Sequence, residues 1–201
     1  MDPSDRNLSE PFFFVTAAVG GWKHLFANEA CARIVFDSLD HLRRTRKLAL
    51  YAFVLVPSHL NLLCRPVGGE IRRTIGGFAD FTAARMTSVL RRRGRGLLMH
   101  YLHARSKEAG PGAPIWGDLR IQEVLTRGKL KFLLDFIHNK PLSSEWRMAE
   151  TRAEYLYSSA CFYDLGCEPI IPVMDARREL EGDGSDPRVT GPSSPFQGSS
   201  G

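Results

Sequence analysis

The sequence has no apolar run long enough to cross a membrane, although 43% of its 201 residues are hydrophobic. Its N-terminal residues also lack the basic-then-apolar layout of a secretion signal. Cysteine is scarce, and the four cysteines at positions 31, 64, 161 and 167 show neither metal-knuckle spacing nor a secreted disulfide pattern. These absences exclude a membrane-spanning or disulfide-stapled protein, and they predict a cytoplasmic protein with reduced thiols.

Hydrophobic residues are sparse at both ends of the chain. Residues 1–11 are mostly polar, and the chain becomes rich in Gly, Ser, Pro and Asp from about residue 179. Such segments cannot bury enough apolar surface to order themselves. We therefore expect a flexible N-terminus over residues 1–11, one folded domain over residues 12–175 and a disordered polar tail over residues 176–201.

Acidic residues are fewer than basic ones, which gives the chain a net charge of +5. This charge favours an anionic partner without identifying it as nucleic acid. Several arginines fall on a helix predicted over residues 70–93 or just after it, where guanidinium groups either contact phosphate or face water at a helix end. The candidate DNA-contacting residues are Arg72, Arg73, Arg85, Arg91, Arg92, Arg93 and Arg95.

Residues 54–66 are the most informative segment, because two polar side chains interrupt an apolar run there. In an extended strand alternate residues point the same way, so His59 and Asn61 share one face while Leu60 and Leu62 face a core. An imidazole and an amide oxygen on one face can both coordinate a metal ion. The plainer alternative is a half-buried strand with two incidental polar residues.

The rest of the pattern predicts a mixed α+β domain, with elements in the order strand, helix, strand, strand, helix and a further helix beyond. Strands are indicated by aromatic and β-branched runs, and helices by apolar residues at helical spacing. The predicted strands cover residues 12–17, 48–56 and 59–65, and the predicted helices cover residues 28–46, 70–93 and 129–139.

Residues 56–62 resemble the histidine strand of the HUH-type single-tyrosine transposases, in particular the REP-associated tyrosine transposases. That strand typically reads Met-Pro-Asn-His-x-His-Leu, and this chain has Val-Pro-Ser-His-Leu-Asn-Leu. The first histidine is present as His59, and Asn61 replaces the second. The resemblance implies an HUH domain with a ferredoxin-like split βαβ architecture, an antiparallel sheet with helices packed on one of its faces.

Further stretches resemble the same family in the same order, so the likeness covers roughly residues 12–165. Residues 78–85 resemble its F-K-x-F-T-S-x-K helix, and Trp116 stands where the family often has a tryptophan before its active-site helix. Residues 136–142 resemble Y-I-H-x-N-P-V, and residues 155–160 resemble Y-x-Y-S-S-A. Each stretch also has a plainer interpretation as packing or capping residues.

The resemblance implies a metal-dependent enzyme that acts on single-stranded or hairpin DNA, and it allows a homodimer. In this family a metal held by the histidine strand polarises the scissile phosphate while a tyrosine attacks it. The implied ligands here are His59, Asn61 and Gln122, with Glu123 as the alternative to Gln122 on the helix after the tryptophan. Mg²⁺ or Mn²⁺ is the metal that such oxygen ligands favour.

The family's nucleophile is missing from its expected place, because residues 116–124 contain no tyrosine. Tyr101 and Tyr157 are weak substitutes, so the question of DNA cleavage stays open. One hypothesis is an active transposase that cleaves and rejoins DNA strands. Another is a catalytically degenerate, domesticated transposase that only binds DNA, and a third is a basic α+β protein that binds RNA through the same sheet.

Overall fold

The computed structural model describes residues 6–22, 24–92 and 115–181. None of the helices within these ranges is long and apolar enough to cross a membrane. In chain order the strands and α-helices of the described residues are β1 (Asn7–Val19), α1 (Glu29–Arg44), β2 (Leu48–Val56), β3 (His59–Pro66), α2 (Ile71–Arg92), β4 (Trp116–Thr126), α3 (Arg127–Asn139), α4 (Ala160–Leu165) and α5 (Arg177–Glu181).

The four strands form one sheet in the order β2-β3-β1-β4, and every neighbouring pair is antiparallel. Since β3 is antiparallel to both β1 and β2, it splits a parallel pair that α1 connects, which is the predicted split βαβ arrangement. The expected α+β fold is therefore confirmed, and the His59 strand is central in the sheet. Leu60 and Leu62 are fully buried as expected, as are Phe53 and Leu55, and Phe14 is half-buried.

Helices cover both faces of the sheet, which corrects the expectation of helices on one face only. Side chains of β3 such as Leu60 and Leu62 pack with those of α1 and α2 in one apolar cluster. Leu63 points the other way and packs in a second cluster with Leu130 and Ile137 of α3. The reason is that β2 and β3 are apolar at successive positions, so both of their faces need cover.

Two helices begin at side-chain caps that the sequence provides. The Asn28 side chain accepts a hydrogen bond from Ala30 N at 3.1 Å and starts α1. Thr126 accepts one from Lys129 N at 3.3 Å and starts α3 directly after β4. The Asn28 cap therefore fixes the start of α1. The Thr126 cap fixes the point at which β4 passes into α3, the helix that covers the second face.

The segment after Trp116 is a strand, whereas the family resemblance implied a helix there. β4 pairs with β1 from Val19↔Trp116 to Asn7↔Thr126. Gly117 lets the two strands begin close together, because a Cβ atom at this position would lie 2.6 Å from Gly20 Cα. Long-range pairing with β1 therefore decides the conformation of a segment that has no clear periodicity of its own.

Trp116 is a core residue, which agrees with its plainer interpretation as a packing residue. Its side chain is buried between Phe26 and Phe78, with ring centroids 5.5 and 6.3 Å away. Its indole Nε1 donates a hydrogen bond to Thr82 Oγ1 at 2.9 Å. A ring held in this way has no face left on which a base could stack.

Ordered contacts continue past both ends of the expected domain at residues 12 and 175. β1 already begins at Asn7, which pairs with Thr126. At the other end Glu179 forms a 2.9 Å ion pair with Arg65. Both extensions are tied to the sheet rather than to each other, so polar composition alone did not reveal them.

The outer edge of β2 is covered by a segment that follows α3. Leu55 N donates to Tyr157 O at 2.8 Å, and Ser159 N donates to Phe53 O at 3.0 Å. Farther along the edge, Met174 N donates to Leu50 O at 2.8 Å. This cover satisfies backbone groups that an open edge strand would otherwise present to other chains.

His138 links α3 to this cover. It is buried, its Nε2 lies 2.9 Å from Ser159 Oγ, and its ring lies 4.8 Å from that of Tyr163. Burial, assisted by the positive charge of Arg152, lowers the pKa of His138 from 6.5 to about 4. The unfolded chain therefore takes up a proton between these pH values that the folded chain does not.

We expect the free energy of unfolding to fall as the pH falls from about 6.5 to about 4, with His138 contributing about 3 kcal/mol to the loss. Urea unfolding of the His138→Gln variant should show a flatter pH dependence in this window. His41→Gln is the matched control, because His41 is exposed on α1. A His138→Gln profile parallel to that of the wild type would contradict this role.

Candidate functional site

His59 and Asn61 lie on the same face of the sheet, as the alternation of β3 predicts. In the ladder with β1, His59 is opposite Ala18 and Asn61 is opposite Thr16. This is the face that α3 covers farther along β3, and it is opposite to the face of α1 and α2. We refer to this side of the sheet, from His59 to Leu63 and their neighbours, as the His59 face.

His59 is held under an aromatic cover at the start of β3. It is only 4% exposed, and the Trp146 ring lies edge-on to it with centroids 6.1 Å apart. The His24 ring also lies near Trp146, with ring centroids 5.7 Å apart. The neighbouring Ser58 Oγ lies 2.7 Å from His59 Nδ1 and orients the ring.

The charges around His59 are mixed. Its pKa is lowered first by burial and then by the positive charge of Lys140, while Glu145 and Asp118 act in the opposite direction. Burial lowers the pKa of Lys140 as well, and Glu145 partly offsets this. The imidazole is therefore kept neutral in a partly buried pocket that contains one amine and two carboxylates.

The Asn61 side chain has one satisfied and one unsatisfied end. Its Nδ2 donates a hydrogen bond to Thr16 Oγ1 at 2.9 Å. Its Oδ1 is buried and has no hydrogen-bond partner among the described residues. Because a buried acceptor without a partner is costly, this oxygen is suited to receive a donor or a cation from a bound molecule.

Gln122 and Glu123 do not join His59. Both lie on the edge strand β4 instead of a helix, and Gln122 is exposed and opposite Phe14. The bulky Phe14 side chain therefore stands between Gln122 and β3. Glu123 is opposite Phe13, one residue out of phase, so it lies on the other face of the sheet.

The residues around His59 do not fit a divalent metal site. Strand β3 offers one imidazole and one amide oxygen, and the charge of Lys140 opposes a dication while Glu145 and Asp118 act in the other direction. Across residues 6–22, 24–92 and 115–181, no three His, Cys, Asp or Glu side chains come together in a way that could hold a metal ion. The Mg²⁺ or Mn²⁺ site at His59, Asn61 and Gln122 stays a prediction.

The structure brings none of the described tyrosines to His59. Tyr155 donates its hydroxyl to Leu55 O at 2.8 Å and Tyr163 donates to Tyr51 O at 2.9 Å, and burial raises the pKa of both phenols. Tyr157 packs against Phe36 of α1, on the opposite side of the sheet from His59. Tyr101 lies outside the described residues.

Tyr51 is also committed to the fold. Its side chain is buried, and its ring packs edge-on against Phe12 with centroids 4.6 Å apart. Its hydroxyl accepts a hydrogen bond from Arg65 at 3.5 Å. This tyrosine is therefore a packing residue.

The candidate arginines of α2 lie on the other side of the sheet from His59. Arg72, Arg73 and Arg85 are exposed on this helix, and Arg91 and Arg92 are exposed at its end. Two of them, Arg73 and Arg85, line an open groove of about 900 Å³ between α1 and α2. Arg93 and Arg95 lie outside the described residues.

Sequence reasoning missed the residues that cover His59. Trp146 and Glu145 belong to the loop after α3, and no periodicity in the sequence relates them to β3. Lys140 had a signal that could have been noticed, because it stands at the asparagine of the Y-I-H-x-N-P-V motif. Asp118 reaches the His59 face only because β4 is a strand and places it opposite Ala18.

A solved structure of a REP-associated tyrosine transposase bound to a REP hairpin is similar to this chain, with a TM-score of 0.52 and 14% sequence identity. The similarity covers 84% of this chain and 87% of that chain. No protein-family model matches the chain, and no curated protein matches its sequence. At this level of identity the likeness shows the fold, a four-stranded antiparallel sheet with packed helices.

We expect Trp146→Ala to raise the pKa of His59, because burial is the largest cause of its lowering. The change can be followed by NMR titration of the histidine ring protons. Lys140→Gln should raise the same pKa less, since the lysine charge is the second cause. Leu156→Ala, which removes an exposed side chain at the β2 edge, should leave it unchanged. An unshifted His59 titration in Trp146→Ala would show that the indole does not shield it.

Proposed function

We propose that this chain is a transposase-like DNA-binding protein whose partner is single-stranded or hairpin DNA. The observation that carries the proposal is the fold shared over most of the chain with a tyrosine transposase that is bound to a REP hairpin. The net charge of +5 has the sign that a phosphate backbone requires.

We propose the His59 face, rather than the α2 arginines, as the main contact surface. Arg120 lies in the same row of the sheet as Asn61 and is exposed, although it also forms a 2.9 Å ion pair with Asp118, and the charge of Lys140 acts on His59. The neutral imidazole of His59 and the unpartnered oxygen of Asn61 lie on the same face and are both buried, so they supply hydrogen bonds only when the cover over them opens. The arginines of α2 offer charge alone at some distance from these groups.

Hairpin DNA should bind with an affinity that falls steeply as salt rises. The Arg120→Gln/Lys140→Gln variant should weaken binding and flatten the salt slope by up to about two units, because two phosphate contacts are lost. The Arg72→Gln/Arg73→Gln variant removes the same charge from α2 and should change the slope little. Fluorescence anisotropy with a labelled hairpin over a salt series measures the affinity and the salt slope of each variant.

If the Arg72→Gln/Arg73→Gln variant lost more affinity and salt dependence than the Arg120→Gln/Lys140→Gln variant, the DNA-binding surface would be on the α2 side instead. Hairpin RNA of the same sequence that competes as well as the DNA would favour the RNA-binding alternative. Absence of hairpin binding at low salt would rule out the proposed function as a whole.

We further propose that the chain binds DNA without forming a covalent tyrosine link. Support comes from the tyrosines of the described residues, whose hydroxyls or rings are engaged in contacts that stabilise the fold. Asn61 in place of the second histidine and the Lys140 charge beside His59 weaken metal binding in the same pocket. Support for the tyrosine nucleophile and support for the metal site, both of which the family resemblance implied, are therefore weakened together.

No covalent adduct should form when the protein is incubated with a cleavable hairpin strand and Mn²⁺. The strand carries a 3′ label, because the 3′ piece is the one that stays joined to a 5′-phosphotyrosine. A denaturing gel reports the adduct as a shifted band. A band that is lost in both His59→Ala and Tyr101→Phe would establish an active enzyme and identify Tyr101 as its nucleophile.

A further inference from the structure

Two phenylalanines on the outer side of α3 are exposed without an evident structural reason. Phe132 is 60% exposed and Phe136 is 41% exposed, while Leu130, Leu133 and Ile137 of the same helix are buried against the sheet. The helix therefore already has a complete apolar face. Exposed aromatic rings outside that face indicate a binding surface.

The two rings belong to a longer stripe along the helix. Lys129, Phe132, Phe136 and Lys140 follow each other at intervals of three, four and four residues, which places them on one side of the helix and of the turn that continues it. We call these four residues the aromatic stripe. It has a positive charge at each end and two rings in the middle.

The side chains of the stripe contact each other in order. The rings of Phe132 and Phe136 are nearly parallel, with centroids 6.4 Å apart and an interplanar angle of 20°. Lys129 Nζ lies 5.4 Å from the Phe132 centroid, and Lys140 Nζ lies 5.3 Å from the Phe136 centroid. Each ring is therefore paired with a cation that can reach a neighbouring phosphate.

The stripe continues into the His59 face. Phe136 contacts Phe14 of β1 edge-on, with centroids 5.9 Å apart. Phe14 lies two residues before Thr16, which is the partner of Asn61, and the Lys140 charge acts on His59. A molecule that lies along the stripe would therefore lie next to the His59 face.

We propose that the aromatic stripe binds unpaired bases of a single strand, with Phe132 and Phe136 stacking on the bases and the two lysines contacting phosphates. This inference rests on the proposed function and names the surface through which unpaired nucleotides bind. Only unpaired bases present open ring faces, so a duplex could not use the phenylalanines in this way. In a symmetric pairing of two copies the stripes would bring lysines against lysines, which disfavours a second copy as the occupant.

The test uses a fluorescent oligothymidylate and a blunt duplex of equal length, with binding measured by anisotropy. Phe132→Ala and Phe136→Ala should each weaken oligothymidylate binding by about 5- to 150-fold, the effect of losing one stacked base. Phe81→Ala is the matched control, because Phe81 is 56% exposed on α2 with Arg85 5.9 Å from its ring. It should bind like the wild type, as should Phe136→Tyr, which keeps an aromatic ring.

Duplex binding should be unaffected in all of these variants, and circular dichroism at the assay temperature checks that each is folded, because Phe136 also packs against Phe14. Wild-type affinity of Phe132→Ala and Phe136→Ala for oligothymidylate would overturn the inference while leaving hairpin binding and the proposed function intact. An equal loss for single strand and duplex would overturn it too. Conversion of a dimer to a monomer with unchanged affinity would assign the stripe to self-association instead. If neither oligothymidylate nor a hairpin binds the wild type, both proposals fail.

Discussion

The central position of β3 is the constraint on which the rest of the structure depends. Because β1 pairs with one edge of β3 and β2 with the other, every side chain of β3 must enter one of two packed layers. Leu60 and Leu62 enter the layer of α1 and α2, and Leu63 enters the layer of α3. His59 and Asn61 lie on the α3 side, where Trp146 shields His59 and Thr16 satisfies only half of the Asn61 amide.

The segment that covers the outer edge of β2 explains why Tyr155 and Tyr163 are packing residues. An open edge on this buried strand would leave a row of unpaired backbone groups, so the chain returns along it after α3. Tyr155 and Tyr163 hold this return in place by donating to carbonyl groups of β2, and Ser159 joins the strand to His138. The stretch that resembles Y-x-Y-S-S-A is therefore a packing and capping unit. The hydroxyls of this stretch form hydrogen bonds that stabilise the fold, and they are therefore less accessible to a bound molecule.

Local pattern predicted β3 and the facing of His59 and Asn61, because strand alternation is a property of neighbouring residues. The split βαβ order of β1, β2 and β3 was implied by the family resemblance, and the fourth strand was not predicted. The helix expected around Gln122 was wrong because β4 is an edge strand, and its conformation depends on pairing with β1 about 100 residues earlier. Trp146 and Glu145 were missed for a similar reason, since a loop that has no regular pattern brings them across His59.

The charges that act on His59 have both signs, one positive from Lys140 and two negative from Glu145 and Asp118. The two carboxylates favour a dication, whereas the positive charge of Lys140 opposes it. The same charge attracts a phosphate, and a neutral imidazole can still donate a hydrogen bond to it. Substitution of the second histidine by Asn61 and of the motif asparagine by Lys140 therefore act in the same direction. Together they weaken the case for metal-assisted cleavage on this face and strengthen the case for strand binding.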